Sequence, residues 1–279
     1  WEGVMTTREM EAALTSSDGR PALAVPVCEP IQLPEADLPI DPWLFGYWLG
    51  NGTSEANRVH THLDDLDFVA ERCVAAGFEL KTGRATGWTG EVRLYNFTRH
   101  LKTLGVWGNK HIPDAYLLAS ETQRRALLAG LLDSDGHANA HSHQVALAFT
   151  NERLARDAEI LARTLGLKPG MDAQEAAYEV DGERKVTGTA HRVQWAMAGE
   201  CPFTRPRKRA MWSPTQRQGD RLRWRYVAKI ELIPSEPGRC FQVDAPDRLY
   251  LAGEQLIVTH NTTLVEDWCT FKLINDPSF

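Results

Sequence analysis

The spacing of apolar residues changes along this chain. In the middle it predicts an amphipathic helix from Leu63 to Ala76 closed by Gly77. It then predicts a strand from Val145 to Thr150 and a helix from Asn151 to Leu165 closed by Gly166. Two apolar segments head these stretches, Leu44 to Gly52 and Leu128 to Gly136. Each reads as a helix whose glycine, Gly46 or Gly130, lets two such helices pack closely, with Gly52 and Gly136 suited to left-handed C-caps. The order helix, strands, helix occurs twice, as an internal duplication would give. Further on the period falls to two. Tyr226 to Leu232 alternates, and Arg239 to Gly253 reads as a hairpin with Phe241 and Val243 on one side, Pro246-Asp247 at the turn, and Leu249 and Leu251 resuming the alternation. Gln255 to Val258 is expected as a third strand. After Asn261 helical spacing returns, at Leu264, Val265, Trp268 and Phe271.

Composition narrows the class. The 279 residues suit about two domains of ~150 residues, and 43% hydrophobic content can fill both cores. No apolar run approaches the ~18 residues of a membrane span, and no signal peptide is present, so no membrane partner and a cytoplasmic setting are expected. Cys28, Cys73, Cys201, Cys240 and Cys269 show no paired metal spacing and an odd count, which points to reduced thiols. The net charge of −6 argues against indiscriminate polyanion binding. Between Arg205 and Arg225, however, eight basic residues face one acid, Asp220, a stretch that suits either phosphate contacts or a solvated linker.

His260-Asn261-Thr262 carries candidate chemistry. An Asn side-chain amide can attack its own carbonyl, close a succinimide and release the chain beyond it. His260 could protonate the departing nitrogen, and the Thr262 hydroxyl could hold an upstream chain as an ester. With the hairpin and strand before it, this run resembles the C-terminal splicing motifs of inteins. A Cys at the position of Cys240 marks the class 3 group, in which, the resemblance implies, that Cys works with a Trp of an N-terminal motif and a Thr just after the excised segment. Trp1, followed by Met5-Thr6-Thr7-Arg8-Glu9-Met10, is the candidate Trp. Cys240 would take the upstream chain as a thioester, Thr262 would receive it as an ester, Asn261 would cyclise, and an O-to-N acyl shift would leave a peptide bond. A thiolate suits the first step, being a far better nucleophile than an alcohol.

Leu128-Ala129-Gly130-Leu131-Leu132-Asp133-Ser134-Asp135-Gly136 resembles the LAGLIDADG motif of homing endonucleases, and Leu44-Phe45-Gly46-Tyr47-Trp48-Leu49-Gly50-Asn51-Gly52 is a looser copy. An acid at a helix C-terminus opposes the macrodipole, so Asp135 is better explained as a ligand for Mg²⁺. The family places an acid at the end of both helices, whereas here the second metal position is Asn51, which offers a carbonyl oxygen but no charge. An endonuclease that binds double-stranded DNA yet cleaves weakly, nicks one strand or is inactive is therefore expected. Asp133, on a different helix face, is not expected to replace the missing acid. Lys110-His111-Ile112-Pro113 resembles the Lys-x-Ile-Pro element in which the Lys assists cleavage, and a lone surface Lys is the competing reading. Base recognition in the family comes from β-ribbons in the major groove.

These resemblances imply an α+β protein: a β-rich horseshoe splicing domain carrying an inserted, pseudo-twofold α/β LAGLIDADG endonuclease. Residues 1–40 are expected as part of the splicing domain plus a proline-punctuated linker, 41–210 as the endonuclease, and 211–261 as a basic linker plus the rest of the splicing domain. Residues 262–279 are expected to begin the host protein. A chain starting at Trp1 is expected to be a fragment. Thr262-Thr263-Leu264 is the kind of run that comes directly after Gly-Lys in a phosphate-binding loop, which suggests a P-loop ATPase host resembling a phage terminase. The protein is expected to be a monomer in a bacterial, phage-borne setting, with splicing needing no cofactor. Two alternatives stay open: a free-standing LAGLIDADG endonuclease or RNA maturase, and an ordinary P-loop ATPase fragment.

Overall fold

The computed structural model describes residues 5–139, 144–180, 183–197, 201–212, 222–232, 234 and 243–260, with only the backbone for 139, 178–180, 183, 184 and 260. Trp1, Cys240, Asn261, Thr262 and the expected host segment lie outside the described residues, as does the His260 side chain. In chain order the elements are α1 (Thr7–Ala12), β1 (Ala24–Pro26), α2 (Pro42–Asn51), β2 (Arg58–His62), a 3-10 turn (Leu63–Asp65), α3 (Leu66–Ala75), β3 (Leu80–Thr86) and β4 (Thr89–Leu94). There follow α4 (Phe97–Thr103), α5 (Asp114–Leu117), α6 (Glu121–Asp135), β5 (His137–Asn139), β6 (Gln144–Phe149), α7 (Glu152–Thr164), β7 (Gly170–Val180) and β8 (Glu183–Ala196). The last are α8 (Pro206–Ala210), β9 (Trp224–Tyr226), β10 (Leu249–Ala252) and β11 (Ile257–His260).

Two compact units result. One is discontinuous, residues 1–28 with 218–279, and the other is the continuous stretch 29–217 between them. In the discontinuous unit β1 pairs antiparallel with β9 and β10 with β11, and a bridge joins Val27 to Ile257. The alternation over Tyr226–Leu232 does not become a strand. Pairing begins earlier, at Trp224, and ends at Tyr226, because the partner β1 is three residues long. Beyond Val227, whose amide donates to Leu23, no strand continues among the described residues and Leu232 is fully exposed. The expected third strand is displaced by two residues to Ile257–His260, since Gly253 (φ 65°) and Leu256 (φ 52°) build the turn between β10 and β11.

The continuous unit holds the duplication. Each half runs motif helix, one strand in the first half (β2) or two in the second (β5 and β6), helix, hairpin, and each sheet places the last hairpin strand centrally, in the orders β2-β4-β3 and β5-β6-β8-β7. α2 starts on Pro42 with the Asp41 carboxylate accepting from the Leu44 amide, and α6 starts on a Ser120–Gln123 capping box. Apolar residues all round α2, Trp43 to Leu49, are buried because the helix runs through the core with α6 beside it.

Residues 29–40 pack with this unit. Prolines 30, 34 and 39 offer no amide for a β-ladder, and side chains hold the stretch instead. Gln123 donates to Ala36 O (2.7 Å) and accepts from Ala36 N (2.9 Å). The fully buried Arg124 donates to Ala119 O (2.9 Å), Thr164 O (2.7 Å) and Ile31 O. The Tyr116 hydroxyl donates to Ile40 O (2.9 Å) and accepts from Ile40 N (3.2 Å). The stretch read as a linker is thus a strap fastened to α5 and α6. Among the described residues no helix is long and apolar enough to cross a membrane.

Candidate active site at the paired helix ends

α2 and α6 touch backbone to backbone. A Cβ on Gly46 would collide with the carbonyl of Leu127, and one on Gly130 with the carbonyl of Trp43. Gly46→Ala or Gly130→Ala should therefore force the helices apart and cost about 1–3 kcal/mol, the range for overpacking a core. A melt of either variant checks this, and an unchanged melting temperature would contradict the close crossing. Contact persists to the C-terminal ends, where a Cβ on Gly50 would meet the Ser134 side chain and approach Asp135 Cγ. Asn51 and Asp135, the last residues of the two helices, consequently stand side by side.

The helix ends differ from expectation in their caps. Gly52 (φ −81°, ψ 152°) and Gly136 (φ −66°, ψ 143°) are extended, not left-handed. Glycine is needed there for space: a Cβ on Gly52 would collide with Trp48, and one on Gly136 with the backbone of Leu132.

Lysine ammonium groups take over the exposed carbonyls. Lys110 donates to Leu49 O (2.9 Å), Gly50 O (3.3 Å) and Gly52 O (2.7 Å). Lys208 does the same at α6, donating to Leu132 O (2.7 Å), Ser134 O (3.0 Å) and Gly136 O (2.7 Å). The two lysines are counterparts in the duplication, and each puts a cation where the helix macrodipole is negative. Lys110 is therefore not a lone surface residue. Lys208 is missed by the sequence, where it stands within a basic run that suits solvent or phosphate. It is 8% exposed, and its neighbour Arg205 is 5% exposed. Arg205 and Arg207 meet the buried Asp65 at 3.6 and 3.0 Å, so this part of the basic run is turned inward.

Burial lowers the Lys110 pKa to about 8 against the pull of Asp135, and lowers that of Lys208 to about 7, with Arg205 adding repulsion. Asp135 reaches solvent yet is crowded by protein on most sides. Burial raises its pKa, and Lys110, Lys208 and Arg205 pull it back without cancelling the rise, so the direction is upward. The Tyr47 hydroxyl, its pKa raised by burial, lies near Thr61, Asn51 and Arg205. Asp133 is fully buried and spends its oxygens on Trp43 Nε1 (2.8 Å), Thr204 N (2.9 Å), Arg205 N (3.0 Å) and the Thr204 hydroxyl. With its oxygens so engaged, it does not stand in for a second acid at the helix ends.

Among the described residues no group of three His, Cys, Asp or Glu could hold a metal alone. One carboxylate and one amide oxygen still fit Mg²⁺, which commonly takes one or two carboxylates and completes its shell with waters and a substrate phosphate.

Residues 122–183 match the sequence model of the LAGLIDADG-like domain, so the chain carries such a domain. The chain is 32% identical to a "Replicative DNA helicase DnaB" of Mycobacterium intracellulare, over 96% of this chain and 44% of that protein. It is 29% identical to "Iron-sulfur cluster assembly SufBD family protein ML0593" of Mycobacterium leprae (strain TN), over 68% of this chain and 23% of that protein. The chain thus spans less than half the length of either relative. A solved structure of mesophilic variants of the homing endonuclease I-DmoI aligns with TM-score 0.39 and 12% identity, over 61% of this chain and 95% of that chain.

Proposed function

We propose that this chain is a self-splicing intein carrying a LAGLIDADG-type DNA endonuclease in which one of two catalytic acids has been replaced. The nuclease half of the proposal rests on the helix ends: Asp135 and Asn51 side by side at the mouth of a glycine-packed helix pair, with the half-buried Lys110 and the buried Lys208 behind them. Asp135 and Asn51 would hold Mg²⁺, which would supply charge stabilisation at a scissile phosphate and a more acidic water. The chain's own residues do the rest. Lys110 and Lys208 fix the carbonyls of each helix end, and their charge keeps Asp135 available as an anion. Asp133 holds the returning segment 204–208 in place. Neutral Asn51 removes one of the two charges that two-strand cleavage would use.

Two observations favour the splicing half. First, a helicase and an iron–sulfur cluster assembly protein have no shared task that a common segment would serve, yet both match this chain over part of their length. A segment that excises itself can reside in unrelated hosts. Second, the continuous unit interrupts a discontinuous one, as an insert within a splicing domain would. The P-loop ATPase host, with a terminase as one example, belongs to the same proposal.

Intact-mass analysis of the precursor, rebuilt with its upstream segment, tests the splicing step. Ligated flanks plus excised segment are expected, with ligation abolished in Cys240→Ala and at most C-terminal release remaining. Equal ligation in both proteins would remove Cys240 from the mechanism.

A further inference from the structure

The lysine at each helix end belongs to the half whose helix it closes, but side chains of the opposite half seat the segment that carries it. Lys110 follows α4 and closes α2, both of the first half. Its backbone is held from the second half. Asn151, the N-cap of α7, accepts from the Leu154 amide through Oδ1 (3.2 Å) and donates from Nδ2 to Lys110 O (2.8 Å). Further along the same helix, Asp157 accepts from the Ile112 amide at 2.8 Å. Ile112 is buried, and a buried amide left without an acceptor is costly, so this bond is a firm anchor.

The arrangement recurs in the other direction. Lys208 closes α6 of the second half, and the residues before it are seated from α3 of the first. Asp65, the N-cap of α3, makes no cap with its side chain and meets Arg205 (3.6 Å) and Arg207 (3.0 Å) instead. Further along α3, Arg72 lies over the Trp43 ring and donates to the Thr204 hydroxyl (3.0 Å). The exchange is unequal, because the amides of Thr204 and Arg205 also donate to Asp133 of their own half. On α2 the position equivalent to Asp133 is Leu49, whose side chain accepts nothing. The first half therefore depends on the second more than the second depends on the first.

On the nuclease reading proposed above, we infer that Asn151 and Asp157 are positioning residues for Lys110, through which the second half sets the geometry of the α2 end where Asn51 stands. Neither touches the reacting atoms. They hold the carbonyl and the amide on either side of His111, so the Lys110 side chain starts from a fixed point and its ammonium group reaches Leu49 O, Gly50 O and Gly52 O together. A lysine stem is flexible, and without that fixed origin the three bonds would not be kept at once. The two halves consequently cannot be altered independently: a change on α7 is felt at Asn51.

The test follows the lysine ammonium groups of the full chain by NMR with nitrogen-labelled lysine, the Lys110 and Lys208 signals being identified by their loss in Lys110→Arg and Lys208→Arg. Asn151→Asp still caps α7 but has no N–H to give Lys110 O, and Asp157→Ala removes the acceptor for Ile112. Each should shift or erase the Lys110 signal and leave the Lys208 signal in place, which separates lost positioning from lost folding. Asp157→Asn keeps an acceptor oxygen and should restore the Lys110 signal. Arg72→Ala should move the Lys208 signal less, since Asp133 remains. Cleavage in Mg²⁺ of a duplex selected by this chain from a randomised library should slow about 10–100-fold at saturating duplex in Asn151→Asp and Asp157→Ala, the range for residues that orient a metal site, with duplex affinity unchanged. An unmoved Lys110 signal in both variants would overturn the proposal, as would Asp157→Asn behaving like Asp157→Ala, which would assign the effect to charge. If the unaltered chain cuts no duplex while the signals change as stated, the nuclease reading fails and the seating of Lys110 by the second half stands.

Discussion

On the endonuclease reading proposed above, Asn51→Asp should let both strands be cut, with cleavage of the deficient strand rising about 10²–10³-fold, equivalent to about 3–4 kcal/mol of transition-state stabilisation. The variant adds a carboxylate beside Asp135 at the end of a helix that already abuts its partner through Gly50 and Ser134. A second acid here would ordinarily be penalised, by about 0.3–1 kcal/mol from the helix macrodipole and further by its neighbour. Lys110 and Lys208, donating to the carbonyls of both helix ends, together with nearby Arg205, supply compensating charge. The readout is the ratio of linear to nicked plasmid carrying a site selected by this chain from a randomised duplex library, in Mg²⁺. Asp135→Asn should remove cleavage from either background. If Asn51→Asp leaves the ratio unchanged, the lost acid is not what limits the enzyme.

Asp133→Ala should cost about 3–5 kcal/mol of folding stability. The carboxylate is fully buried and accepts from the Trp43 indole, the backbone amides of Thr204 and Arg205, and the Thr204 hydroxyl. Truncation strands these donors in a site closed to water. It also frees the segment that brings Lys208 to α6, so the helix end should lose its clamp together with the core contact. Denaturant unfolding followed by circular dichroism measures the loss. A change below about 1 kcal/mol would mean that water replaces the carboxylate, contrary to its burial.

The paired helices are legible in the sequence because their cause is local. Gly46 and Gly130 sit at equivalent places in two similar segments, and only a close crossing explains small residues amid bulky ones. Asn51 stands out for the same reason. The caps at Gly52 and Gly136 mislead, since a glycine after a helix usually signals a left-handed residue, whereas here its missing Cβ makes room for Trp48 and Leu132. The alternation after Tyr226 is real, but alternation shows only that a segment can pair; the length of the partner decides where the strand stops. Lys208 is hidden because its return path runs through a hairpin much longer than that of the first half, so no constant offset links it to Lys110. The strap over residues 29–40 is hidden for a related reason: the side chains that hold it, Gln123 and Arg124, lie far along the chain, on another element.

The strap has a mechanical consequence. It is fastened at the start of α6 through Gln123 and Arg124, while the returning segment is fastened at its end through Asp133 and Lys208. Entry and exit are thus held near opposite ends of a 15-residue helix, with Gln123 and Asp133 about 15 Å apart along its axis. Tension applied through the two ends of the insert would run lengthwise down α6 and meet side-chain clamps loaded in shear. The insert should yield abruptly and as a whole, like a strut, and not by unravelling from one terminus.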